Sequence, residues 1–301
     1  LGRALQGSRR FSNLICTKYN ALNSTKSRIT KSLEDSLKRL NTDYVDFYIA
    51  HWPNPNVPFE ELLESLQLFK KQGKIKSYGL SNATTEEVKE FYTLNDSRPY
   101  VIENEYNLVD RTVEETILPF VLDTGCLFLS YSPLLQGTTL PNNKDINLVC
   151  EKYNCTVQQL LLSWIHDREL VTIVRTTNEK HLQDNIAALH IKLENQEKKL
   201  LQNTLAAKKV KVDLNSVSLE NSPYSSVEEA ITNSIDLIPS PLLLANRLDK
   251  GYDFSPLRLV KTNVGYQILD GFGMSELKKI WAWKISRPLE QMMEAYVFND
   301  I

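Results

Sequence analysis

Cysteine is scarce and unpatterned in this chain of 301 residues. Cys16, Cys126, Cys150 and Cys155 form no C-x-x-C pair and have no histidine at ligand spacing. Neither a metal site nor a disulfide framework is therefore written into the sequence, and buried, reduced thiols are expected. No apolar run approaches the ~20 residues of a membrane span. No signal peptide is visible, but no initiator Met is present either, so that silence carries little weight. A basic surplus is missing too: the formal charge is −2, which leaves no electrostatic footprint for nucleic acid. No Gly-x-Gly-x-x-Gly follows any strand-like run, so the usual dinucleotide fingerprint gives no support. Internal repeats and low-complexity tracts are likewise absent. What is there is ordinary for a soluble, cytoplasmic globular protein, with 42% hydrophobic residues.

Short β-branched and aromatic runs punctuate the first two thirds of the chain. They are Asn13 to Lys18, Tyr44 to His51, Ser77 to Asn82, Tyr100 to Tyr106, Leu127 to Pro133 and Leu170 to Thr176. Helical patterns lie between them. Ser27 to Leu40 sets Ile29, Leu33, Leu37 and Leu40 on one face, and Phe59 to Gln72 does the same with Leu62, Leu63, Leu66 and Phe69. Thr84 followed by Glu86 and Glu87 reads as a capped helix start. About six strand–helix alternations argue for a parallel sheet buried under helices. A (β/α) barrel and a doubly wound sheet both fit. In either, residues at the carboxyl ends of strands face the functional rim. Lys18 and His51 occupy two such ends. Taken singly, each also reads as a solvated loop lysine or a core histidine.

Six segments resemble the aldo-keto reductases, in that family's order and approximate spacing. They are Ile15-Cys-Thr-Lys18, Asp43-Tyr-Val-Asp-Phe-Tyr-Ile-Ala-His-Trp-Pro53, Gly73-Lys-Ile-Lys-Ser-Tyr-Gly-Leu-Ser-Asn82, Glu105-Tyr-Asn-Leu-Val-Asp-Arg111, Tyr131-Ser-Pro-Leu-Leu-Gln-Gly137 and Arg175 to Asn185. The resemblance covers roughly residues 1–205. It implies a TIM barrel that reduces carbonyls with NADPH (NADP as cofactor, a small carbonyl compound as substrate). It also implies roles. Lys18 matches the lysine that lowers the pKa of a tyrosine acid, and His51 the histidine that orients the carbonyl. Ser81, Asn82 and Glu103 match partners of the nicotinamide carboxamide, and Tyr131 the aromatic stacked on its ring. Ser132, Leu134 and Gln136 match the pyrophosphate loop. Arg175, Thr176, His181, Asp184 and Asn185 match the segment around the adenosine and its 2′-phosphate.

Departures from the family pattern shape the expectation. The family's catalytic tyrosine and aspartate belong to its first two strand–helix units, which have no counterpart here. Tyr19 neighbours Lys18, and successive strand residues point to opposite faces, so it cannot replace the acid. The chain therefore reads as an incomplete (β/α)8 barrel holding strands three to eight, inactive by itself. Glu103 stands where the family usually has Gln; a carboxylate accepts from the carboxamide NH₂ but cannot donate to its oxygen. His181 replaces a usual arginine, while Arg175 keeps one permanent cation.

A boundary is expected near Leu205, with a small C-terminal α+β domain over 206–301. Lys209 to Asp213 and Ser255 to Val260 read as strands, Gly265 to Gly271 as strand into turn, and Met274 to Trp283 as a helix. The run from Ser255 to Gly273 resembles, more weakly, ParB-like domains. That implies a nucleotide near Asp270, Gly271 and Gly273, at a helix N-terminus suited to phosphate. An ordinary packing module with a hairpin turn fits equally. With 11 Lys+Arg against 12 Asp+Glu in residues 206–301, the segment offers no basic surface for DNA. Three readings follow: a reductase with an appended module, a binding or regulatory protein on an inactive reductase scaffold, or a nucleotide-dependent activity in the tail.

Overall fold

In the computed structural model the described residues are 1–95, 100–135, 143–204, 208–219, 222, 224–233, 240–250, 257–262, 265–268, 273–288 and 290–298. A short helix α1 (Ser8–Phe11) leads into β1 (Cys16–Tyr19), α2 (Lys26–Leu40), β2 (Val45–Ala50), α3 (Phe59–Lys71), β3 (Ile75–Ser81), α4 (Thr85–Thr93) and β4 (Val101–Glu105). Then come α5 (Thr112–Glu115), α6 (Ile117–Thr124), β5 (Leu127–Tyr131), α7 (Lys144–Tyr153), α8 (Val157–His166), β6 (Val171–Thr172), α9 (Glu179–Ala187) and α10 (Asn195–Thr204). The tail holds β7 (Lys208–Asp213), β8 (Val217–Ser218), α11 (Val227–Asn233), α12 (Pro241–Asp249), β9 (Leu257–Thr262), β10 (Gly265–Ile268), α13 (Gly273–Ser286) and β11 (Met292–Phe298).

The first six strands form one sheet in the order β1-β2-β3-β4-β5-β6. Sequential order belongs to a (β/α) barrel; a doubly wound sheet reverses direction at a switch point. That separates the two architectures left open by the alternation. Helix periods largely landed where hydrophobicity placed them. Ile29, Leu33 and Leu37 of α2 are buried and Leu40 at its end is half-buried; Leu62, Leu63, Leu66 and Phe69 of α3 are buried. Thr84 and Glu87 make the reciprocal capping box that opens α4. The strand expected from Leu170 to Thr176 shrinks to Val171 and Thr172.

By contacts the chain groups into two units, Leu1–Asn104 with Glu114–Phe128, and Glu105–Val113 with Leu129–Ile301. In the first, Tyr48 reaches back to α2, its hydroxyl on the Ile29 carbonyl at 3.4 Å. Phe91 stands edge-on to Phe59, Tyr78 and Tyr100. Edge-to-face packing of this kind adds to the area buried. Arg10 is nearly buried here, paired with Asp46 at 3.0 Å and stacked 3.9 Å from the Tyr44 ring centroid.

The second unit contains the five-stranded sheet of the tail, in the order β7-β11-β9-β10-β8. β11 runs antiparallel to β7 and parallel to β9, so the last strand of the chain is inserted between two earlier ones. Trp281 of α13 donates to Ser222 at 2.9 Å and stands edge-on to Tyr224. The mixed sheet and its helices give the tail the α+β class expected of it. The expected ParB-like likeness of this tail is not shown by its structure. Among the described residues no helix is long and apolar enough to cross a membrane.

Candidate active site

Register assembles the site in the first unit. Lys18 lies opposite Ile49, Ile49 opposite Gly79, and Gly79 opposite Val101. Neighbours in register on parallel strands point to the same face, and so do residues two positions further on. His51, Ser81 and Glu103 stand two positions beyond Ile49, Gly79 and Val101, with Ser81 opposite Glu103. All four polar side chains therefore share one face. Gly79 leaves the place beneath Ser81 empty, and the strand needs it to: a Cβ there would sit 1.7 Å from the Val101 carbonyl oxygen. Tyr19 belongs to the opposite face. It is fully buried, its ring centroid 5.0 Å from that of Tyr48. Burial, then the neighbouring Tyr48, holds its phenol well above the ordinary value.

These side chains form a connected network. The Lys18 ammonium is ion-paired with Glu103 Oε1. Ser81 donates to the same oxygen at 3.4 Å and accepts from Asn82 Nδ2 at 3.2 Å. Asn82 Nδ2 also donates to the His51 carbonyl at 2.9 Å. Asn82 makes this turn with a left-handed backbone, φ 58°, which asparagine tolerates better than most residues. Burial, and next the Lys18 charge, push the His51 pKa below its usual value, so the imidazole is neutral at neutral pH. The Glu103 side chain is 2% exposed. Its second oxygen, Oε2, is buried and has no hydrogen-bond partner among the described residues. A buried acceptor without a donor costs about 1–3 kcal/mol, so Oε2 calls for a ligand that brings one.

In the second unit, β5 delivers Tyr131 half-buried at its carboxyl end. The chain then turns sharply. Ser132 and Leu135 both have φ 52°, and the Leu135 amide donates to the Ser132 carbonyl at 3.1 Å. Leu134 is half-buried in this turn, and Gln136 lies outside the described residues. Asn107 holds the turn in place. Its Nδ2 donates to the Ser132 carbonyl at 3.2 Å, and its Oδ1 accepts from the amides of Val109 and Asp110 at 3.0 and 2.7 Å. No local spacing rule marks Asn107; its role depends on a partner 25 residues away.

Arg175 is exposed, Thr176 half-buried and His181 exposed. Thr176 Oγ1 accepts from the Asn178 amide at 3.0 Å, and Asn178 caps α9. His181, Asp184 and Asn185 fall at i, i+3 and i+4 of α9, one face of the helix. The Asp184 carbonyl is tied to α8 by Gln159 at 3.2 Å. In the tail, Gly273 opens α13, while Asp270 and Gly271 lie outside the described residues. Of the cysteines only Cys126 is buried; Cys16 is exposed, and Cys150 and Cys155 are intermediate. The expectation of buried thiols thus fails for three of them, because β1 borders its sheet and α7 ends at the surface.

Known proteins resemble the chain over much of its length. The profile described as "Aldo/keto reductase family" matches residues 1–206. The methylglyoxal reductase YeaE of Escherichia coli is 30% identical over 223 residues, covering 72% of this chain and 78% of that protein. The NADH-specific methylglyoxal reductase of the same organism is 28% identical over 213 residues, covering 60% and 65%. Among solved structures, the thermostable aldo-keto reductase Tm1743, complexed with epalrestat, superposes with a TM-score of 0.65 at 32% identity, over 67% of this chain and 75% of that one. An aldo-keto reductase from Klebsiella pneumoniae in complex with NADPH gives 0.63 at 28% identity, over 67% and 72%.

Proposed function

The chain belongs to the aldo/keto reductase family, and from that premise we propose that it binds NADPH for the reduction of a small carbonyl compound to its alcohol. The observation that carries this reading is the one-face network of Lys18, Glu103, Ser81, Asn82 and His51 at consecutive strand ends. The orphaned Glu103 Oε2 fits the cofactor: a primary carboxamide brings the N–H it lacks. Ser81 and Asn82 flank that position, and Tyr131 is the stacking aromatic. By the family resemblance, Ser132, Leu134 and Gln136 correspond to the pyrophosphate loop. Arg175 is the permanent cation for a 2′-phosphate, with Thr176, His181, Asp184 and Asn185 around it. NADPH supplies the hydride when bound.

The chain's own residues bind and orient. His51, held neutral, presents an N–H to the carbonyl oxygen. Lys18 places a cation where developing negative charge on that oxygen, or a phenolate, is favoured. Glu103 keeps the ammonium pointing into the site. The proton itself needs a separate acid, because Tyr19 faces the core. We therefore take residues 1–205 as the reductase part, 206–301 as an appended α+β module, and residues 1–301 as binding cofactor but reducing carbonyls slowly. Loss of general acid catalysis costs roughly 10²–10⁴-fold. Three curated relatives are methylglyoxal reductases, which makes an α-oxoaldehyde the first substrate to try.

The test is a fluorescence titration of the full chain with NADPH. Glu103→Gln keeps an acceptor and adds a donor, so affinity should hold or rise. Glu103→Leu removes the acceptor and should weaken binding by about 1–3 kcal/mol. Unchanged affinity in Glu103→Leu would overturn the site assignment.

A further inference from the structure

The surface end of α7 holds a second chemistry, remote in sequence from the network above. The helix closes with Asn154 in the left-handed region (φ 48°, ψ 50°), its amide bonded to the Cys150 and Glu151 carbonyls. The Cys155 amide then donates to the Cys150 carbonyl at 3.0 Å. This pair of bonds is the Schellman closure, in which the third residue from the helix end and the second residue beyond it come side by side. Two apolar side chains usually meet there. Here both positions are cysteine.

The two thiols are neighbours at this helix end, and each perturbs the other's ionisation. The influence of Cys150 lowers the Cys155 thiol against the opposing effect of burial; the influence of Cys155 and then burial push Cys150 up. Both side chains are partly exposed. The helix end is itself anchored. Lys152 is ion-paired with Glu197 at 2.7 Å and Glu194 at 3.2 Å, and the Tyr153 hydroxyl accepts from the Glu194 amide at 3.0 Å.

We propose that Cys150 and Cys155 are a dithiol–disulfide couple that exchanges with low-molecular-weight disulfides. In the first step one of the two thiolates attacks one sulfur of the small disulfide. That S–S bond breaks, one small thiolate leaves, and a mixed disulfide remains on the attacking cysteine. The other cysteine then gives its proton to solvent and attacks that cysteine's Sγ, expelling the second small thiolate. The protein's two thiols are oxidised by two electrons and the small disulfide is reduced to two thiols, which take up the two protons. Cys16 on β1 and Cys126 beneath α6 have no such partner and serve as internal controls.

The experiment treats the reduced full chain with oxidised glutathione, blocks residual thiols with iodoacetamide and maps tryptic peptides. Cleavage after Lys152 separates the two cysteines, so the product is peptide Asp145–Lys152 joined to Tyr153–Arg168, lighter by two hydrogens. In Cys150→Ser the reaction should stop at a glutathione adduct on Cys155, and in Cys155→Ser at an adduct on Cys150. A wild-type chain that keeps a glutathione adduct without the linked peptides, or that reacts first at Cys16, would overturn the couple.

Discussion

Asp46 is the residue whose loss should harm the first unit most. Its Oδ2 accepts from the Arg10 guanidinium at 3.0 Å and from the Ile15 amide at 2.9 Å, and its Oδ1 pairs with Lys76 at 3.0 Å. Arg10 also donates to the Asn13 and Tyr44 carbonyls at 2.9 and 3.0 Å and to Thr42 at 3.2 Å. Removing the carboxylate by Asp46→Ala leaves a buried guanidinium without its counter-charge and an amide without an acceptor. Breaking one half of a buried pair costs about 3–5 kcal/mol, whereas replacing both halves by apolar residues is often near neutral. Asp46→Ala should therefore lose about 3–5 kcal/mol in urea unfolding followed by circular dichroism, and Arg10→Met with Asp46→Leu should recover most of it. The pH dependence carries a second signature. Burial pushes the Asp46 carboxyl up, but the Ile15 amide, Lys76 and Arg10 together pull it below the ordinary value. A depressed folded pKa contributes stability that is present above the unfolded value, about 3.9, and is lost as pH falls through the folded one. The acid limb of the stability curve should be shallower in Asp46→Ala. A loss below about 1 kcal/mol, or an unchanged acid limb, would refute the reasoning.

Tyr131→Ala should weaken NADPH binding by about 1–3 kcal/mol through lost stacking, read by fluorescence titration; equal affinity would remove Tyr131 from the site. The His51 pKa is lowered in the folded state, so NMR should show its imidazole titrating below about 6.5, and its contribution should destabilise the fold as pH drops below that value. Gly79→Ala forces a Cβ onto the Val101 carbonyl and should cost about 1–3 kcal/mol or more; a wild-type melting temperature would contradict the close approach. Leu14 beside β1 and Val171 in β6 are exposed, at 73% and 44%. Apolar borders of this kind template association, so gel filtration of residues 1–205 made alone should show oligomers; a monodisperse, cooperatively melting monomer would rule this out.

Local chemistry made much of the sheet and part of the site readable. Lys18 and His51 stand at strand ends because their strands are apolar, bounded and periodic, and parity alone dismisses Tyr19. Long-range pairing hid the rest. The Lys18–Glu103 ion pair joins residues 85 apart, and no spacing rule foretells it. β11, in Met292-Met-Glu-Ala-Tyr-Val-Phe298, is weak in β-branched residues, and its place between β7 and β9 comes from pairing with both. Met293, Ala295 and Val297 of that strand are buried. The cysteine pair escaped a search for C-x-x-C because a helix terminus, not a ligand spacing, brings it together.

The Asp46 clamp also decides which side chain reaches the site. The Ile15 carbonyl receives both the Asp46 and Phe47 amides at 3.0 Å, while the Ile15 amide returns a bond to the Asp46 carboxylate. These bonds fix how far β1 can slide along β2. Side chains alternate with a period of two, so a slip of one residue exchanges the faces. It would turn Lys18 into the helix layer and present Tyr19 to Glu103. The buried pair at the foot of the strand thus acts as a phase lock on the chemistry at its tip. A variant at Arg10 can silence the site while every residue of the site stays intact.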